Sequence, residues 1–110
     1  MAKKKQPAVP SAPQIFAASL GANGTVIKGH PIVRAQAEVM RQAGLDVVVC
    51  GPDLAANRKL AGQIEGNANG KCKRCPPHAT SGNKALPHYQ PDPRPPSGHT
   101  FYETPNRRAV

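Results

Sequence analysis

The sequence predicts a small single α/β (α+β) domain: a short sheet, two helices and a proline-rich tail that bears histidines. Two observations carry this. A continuous β-branched run, Asp46-Val-Val-Val-Cys50, lies between two stretches of helical periodicity, as in a strand buried on both faces. The last third of the chain, from His78 to Glu103, holds three of the four histidines, both tyrosines and a dense run of prolines, and loses that periodicity.

The elements follow in order. Residues 1–13 carry Lys3, Lys4 and Lys5 and then Pro7, Pro10 and Pro13, which reads as a disordered basic arm or linker outside the fold. Gln14 to Leu20 and Thr25 to Ile27, joined through Asn23-Gly24, form a hairpin pattern. Pro31 suits a first helical turn, and Ile32, Ala35, Val39 and Ala43 then recur at three- and four-residue spacing, with Arg34, Glu38 and Arg41 elsewhere, up to Gly44. After the strand, Asp53 is a candidate N-cap for a second helix, with Leu54, Leu60, Ala61 and Ile64 inward and a stop near Gly66. EGNANGKCKRC is a turn region leading into a basic stretch. Beyond it only His99 to Glu103 alternates as a strand does, placing His99, Phe101 and Glu103 on one face and Thr100 and Tyr102 on the other. The single domain spans residues 14–104, its tail packed across the sheet edge, and residues 105–110 are a basic tail expected to fray.

Composition narrows the function classes. The chain of 110 residues carries a formal net charge of +9, from 15 Lys and Arg against 6 Asp and Glu, which favours polyanionic partners, RNA or another nucleic acid first and an acidic protein inhibitor second. No apolar run near the start is long enough for a signal peptide, and nowhere are there 18 consecutive apolar residues, so neither export through that route nor membrane spanning is expected. The three cysteines cannot all pair within one chain, and the lack of an export signal argues for a reducing compartment, so a disulfide framework is not expected.

Two chemistries compete for the last third. Cys72 and Cys75 form a CxxC pair, and His78 follows three residues on, so these are the ligands of a weak zinc alternative; a second close pair is missing. Pro76 after Cys75 excludes a c-type haem box, and no cofactor is expected. The other chemistry is metal-independent cleavage of a phosphodiester. There the RNA 2′-hydroxyl attacks its own phosphate, which requires a base, an acid at the leaving oxygen and a cation over the phosphorane charge. From His88 the sequence reads HYQPDPRPPSGHTFYE; His88 and His99 bracket Arg94 and supply those groups, with His78 nearby. Tyr89 and Tyr102 are candidates to stack a base or orient a histidine, and Thr100, Lys84, Lys73 and Arg74 complete the expected substrate contacts. Prolines remove backbone donors, so no ladder is expected through this segment and both histidines are expected to be exposed. Cys50, ending the buried strand, reads as a small core residue. A non-catalytic basic module that binds nucleic acid or a partner remains the alternative to the enzyme.

The residues from Asp46 through Asn57 to Ile64-Glu65, and then PPHATSGNKALPHYQPDPRPPSGHTFYE, resemble the C-terminal effector domains of bacterial polymorphic toxins of the Rhs and contact-dependent-inhibition kind. Their tails follow the pattern PH…LPHYH…GHxFY, and the likeness covers roughly residues 46–104. It implies a ribonuclease toxin that acts in the cytoplasm of a rival cell, is delivered by a secretion system and is neutralised by a dedicated, acidic immunity protein. His78, His88, Arg94 and His99 are the positions that match the tail. Gln90 stands where such tails often carry a second histidine.

Overall fold

Six strands and two helices, counted among the described residues, build an α+β domain in the computed structural model, which describes residues 12–77, 82 and 84–110. Most of the expected N-terminal arm, and His78, lie outside the described residues. In chain order the elements are β1 (Gln14–Leu20), β2 (Val26–Ile32), α1 (Arg34–Gln42), β3 (Val47–Cys50), α2 (Leu54–Asn69), β4 (Cys72–Cys75), β5 (His88–Pro91) and β6 (Thr100–Tyr102). One mixed sheet runs β2-β1-β3-β6-β5-β4, antiparallel throughout except for the β3–β6 pair. Among the described residues no helix is long and apolar enough to cross a membrane.

β1 and β2 form the hairpin expected from Asn23-Gly24. Asn23 (φ 58°) and Gly24 (φ 76°) sit in a single turn of 3-10 helix, in the left-handed region that Asn and Gly tolerate best. β2 runs on to Ile32, so Pro31 pairs with Phe16 in the ladder instead of opening a helix. α1 therefore begins at Arg34, where the Gln36 side chain returns to accept from the Val33 backbone N–H at 3.0 Å. Its buried face is also not the expected one. Ala37 and Arg41 are buried, while Val39 is 63% exposed. The apolar spacing misled because the residue that α1 buries deepest is an arginine paired to a glutamate of α2.

Asp53 does cap α2, its Oδ1 accepting from the N–H groups of Ala55 and Ala56 at 3.0 and 3.4 Å, a contact worth about 1 kcal/mol. Ala61 and Ile64 face the sheet as expected. The helix continues through Gly66 to Asn69 and ends at Gly70, whose φ of 77° suits glycine.

β4 and β5 were not legible as strands. β5 nevertheless forms, because proline loses only its donor: the Pro87 carbonyl still accepts from the Tyr102 N–H at 3.1 Å, and Pro91 closes the pairing with Cys72. The histidine-bearing segment thus does not lie across the sheet edge. β6 is interior, between β3 and β5.

The two faces of the sheet differ. Both helices cover one, over Ile15, Ile32, Val47, Val49 and Tyr102. The other holds Val26, Val48, Cys50 and Phe101 beneath Leu86 and Ala109. The C-terminal residues cross this second face and are tied down, not frayed. Val110 donates to the Val26 carbonyl at 2.9 Å and accepts from the Lys28 N–H at 2.8 Å, and Arg107 donates to the Ala85 carbonyl at 2.9 Å.

Candidate active site

The parallel pairing of β3 with β6 creates the site. Val47 lies opposite Thr100, and the Val47 N–H donates to the His99 carbonyl at 3.1 Å, so the residues one step earlier, Asp46 and His99, meet at the same end of the sheet. Asp46 Oδ1 accepts from the His99 backbone N–H at 2.8 Å and from its Nδ1 at 3.1 Å. A carboxylate only accepts, so Nδ1 carries the proton and the lone pair of the neutral ring is at Nε2. The two side chains are 21% and 20% exposed, close enough to solvent for a substrate to reach.

β5 brings the second histidine. His88 pairs with Phe101 across the β5–β6 ladder, and directly opposed antiparallel residues share a face. The His88 and His99 rings meet edge to face with centroids 4.7 Å apart; Phe101 stacks on His99 at 4.9 Å and takes the edge of His88 at 5.5 Å. His88 is buried, 2% exposed, contrary to the expectation of an exposed loop, because it sits in a ladder beneath Leu86. Its Nε2 lies 3.3 Å from Gln90 Oε1, which also accepts from Arg94 Nη2 at 3.2 Å. Arginine only donates, which fixes the Gln90 amide with its oxygen toward both partners, so His88 faces an acceptor at each ring nitrogen, Gln90 Oε1 at Nε2 and the Leu86 carbonyl 3.5 Å from Nδ1. Arg94, exposed, also donates to the Gly98 carbonyl at 3.1 Å. Asp46, His99, His88, Gln90 and Arg94 are therefore contiguous. A cavity of about 70 Å³ opens beside the histidines, walled by Leu20, Ala85, Leu86 and Phe101.

Other expected contacts fall elsewhere. Tyr89 and Tyr102 are on the helix face, their rings 5.9 Å apart, and the Tyr89 ring packs so close to Gly62 that an added Cβ would be 3.1 Å from it. They cannot stack a base beside His99. Thr100 is fully buried and donates to Glu65 at 2.9 Å, which also removes it from substrate contact. Arg74 opposes Tyr89 and goes with the helix face, whereas Lys73 opposes Gln90 and joins the histidine face. Lys84 is exposed next to Ala85 of the cavity wall.

Cys72 and Cys75 lie three residues apart in one strand, so their side chains leave opposite faces and do not converge on one ion. Cys72 is on the Glu65 side, where burial and then that carboxylate push its thiol up. Among the described residues no group of three or more His, Cys, Asp or Glu side chains is placed to hold a metal. Cys50 is a core residue, its thiol pushed up to about 12 by burial first and Glu103 second.

Of the 6 acidic residues, five are engaged. Glu38 pairs with Arg34, Asp46 holds His99, Asp53 caps α2, Glu65 pairs with Arg41, and Glu103 accepts from the Gly51 and Ala109 N–H groups. The sixth, Asp92, stands two residues before Arg94, and Lys73, Lys84 and Arg94 are exposed cations. Sequence reading missed Asp46, taken only as the start of a strand; what marks it is a position one residue before a strand parallel to the one that follows His99. Comparison with protein-family models, curated proteins and solved structures finds no match for this chain.

Proposed function

We propose that this chain is a metal-independent ribonuclease of the toxin-effector kind, with His99 as its principal proton-transfer group. The observation that carries the reading is the Asp46–His99 contact at 3.1 Å, which presents a lone pair at Nε2 and stabilises the imidazolium that forms when it takes a proton. In the reaction His99 Nε2 removes the proton of an RNA 2′-hydroxyl. The 2′-oxygen bonds to phosphorus, the bond from phosphorus to the 5′-oxygen breaks, and His88, acting as the imidazolium, gives its Nε2 proton to that oxygen and is left as the neutral imidazole, exchanging Gln90 for the leaving group. Arg94, whose planar guanidinium matches two phosphate oxygens, and Lys73 offset the charge of the phosphorane. The products are a 2′,3′-cyclic phosphate and a 5′-hydroxyl.

The tail resemblance supports the biological setting: action on RNA in the cytoplasm of a competing cell, delivery by a secretion system, and neutralisation by an acidic immunity protein laid over the cationic face. The test is cleavage of an RNA oligonucleotide by purified protein in EDTA, and total RNA after intracellular expression, each beside His99→Ala. Cyclic-phosphate ends from the parent and intact RNA from the variant are expected; intact RNA with folded parent protein overturns the reading.

One observation favours a second reading, a basic module that binds nucleic acid without cleaving it. His88 is buried with its Nε2 on Gln90, which leaves His99 the more accessible of the two. RNA bound by the parent but left intact would select this reading.

A further inference from the structure

Arg41 is fully buried on the opposite side of the sheet from the histidine rings. Its Nε donates to Glu65 Oε1 at 2.7 Å, while Nη1 donates to two carbonyls from distant parts of the chain, Leu45 at 2.9 Å and Ser97 at 3.0 Å. Leu45 precedes Asp46; Ser97 is two residues before His99. A single guanidinium thus staples the two backbone segments that deliver the dyad. Glycine makes the approach possible, since a Cβ on Gly98 (φ 89°) would lie 2.5 Å from Arg41 Nη1 and 2.7 Å from the Gly44 carbonyl. Glu65 is held in turn by Asn69 at 2.6 Å and by Thr100, the residue after His99, at 2.9 Å.

Stability alone does not account for this arrangement. Desolvating two charges costs as much as their attraction returns, and well-packed apolar residues commonly replace a buried pair without loss of stability. Apolar residues would not bond the Leu45 and Ser97 carbonyls. We propose that Arg41, backed by Glu65, is a positioning residue that sets the spacing of Asp46 and His99 and thereby the tautomer of His99. This rests on the reading of His99 as the proton-transfer group.

The experiment compares the full chain with Arg41→Lys and with the apolar pair Arg41→Met/Glu65→Leu. Lysine keeps a charge for Glu65 but lacks the fork that reaches two carbonyls. The first readout is nitrogen-15 NMR of the His99 ring, which needs no substrate. The parent is expected to show the Nδ1–H tautomer, and both variants a mixture. The second readout is RNA cleavage, expected to fall about 10²-fold in kcat with KM little changed, as displacement of a reacting group produces. If the apolar pair fails to fold, the lysine variant carries the test. Parental His99 spectra in a folded variant overturn the proposal. An inactive parent whose His99 tautomer still depends on Arg41 removes the ribonuclease reading and leaves the positioning role standing.

Discussion

A single oxygen of Asp46 accepts two hydrogen bonds from His99, one from its backbone N–H at 2.8 Å and one from ring Nδ1 at 3.1 Å. The contact joins ring orientation to strand pairing, because the oxygen that holds the ring is itself held by the backbone N–H just before β6. An asparagine at this position could satisfy both donors with its one carbonyl oxygen but would bring no charge. Asp46→Asn is therefore expected to keep the His99 tautomer and lose part of the rate, and Asp46→Ala to lose about 10²-fold or more. Steady-state cleavage of a short RNA measures both, and Asp46→Ala at the parental rate would remove Asp46 from the mechanism.

The two histidines should separate in stability. His88 is 2% exposed and packed among Leu86, Phe101 and His99, so His88→Ala opens a cavity and is expected to cost about 2–4 kcal/mol. His99→Ala, at a partly exposed position, should cost about 1 kcal/mol. Urea denaturation of the two variants decides this; equal midpoints would mean that His88 is not buried in solution.

Arg94 is exposed and lies on no packed surface, so its loss should register in activity and not in folding. Arg94→Ala is expected to lower kcat/KM about 10²-fold with an unchanged melting temperature. Arg94→Lys should recover only part, because an ammonium does not match two phosphate oxygens at once. Full recovery by lysine would reduce the role to simple charge.

Alkaline pH should destabilise the fold through Cys50. Its thiol is raised from 9.0 to about 12 in the folded state, so between these values the unfolded chain releases a proton that the native protein retains. The contribution is fully present below the unfolded pKa and disappears as pH rises through the folded one. Unfolding free energy should therefore fall from about pH 9 upward, and Cys50→Ala should flatten that slope. Tyr102, its hydroxyl pushed up by burial and then by Tyr89, adds a fall of the same sign that the variant leaves in place. A Cys50→Ala curve parallel to the parent's would show that the thiol is not desolvated.

Local signals carried well where they were self-contained. The Asn23-Gly24 turn, the Asp53 cap and the buried β-branched run of β3 needed no partner to be read. The alternation through β6 also held, with Thr100 and Tyr102 on one face and His99 and Phe101 on the other. What parity does not contain is which face the helices cover, and Tyr89, Tyr102 and Thr100 were placed at the site for want of that one fact. α1 was phased on its apolar residues, but its innermost residue is Arg41, whose partner lies 24 positions away. Asp46 and His99 are separated by 53 positions and meet only through the β3–β6 pairing, which nothing local specifies.

The tie between Val110 and the Val26–Lys28 stretch of β2 carries a consequence for association. β2 is the outermost strand on its side, and an unpaired strand edge is a template onto which other chains add. Here Val110 of the same chain is the occupant, so that stretch of edge is closed to foreign backbone by one pair of hydrogen bonds, at 2.9 and 2.8 Å. Solubility at that edge depends on a residue that takes no part in the Asp46–His99 contact, and a lesion there would appear as self-association long before it appeared as lost chemistry.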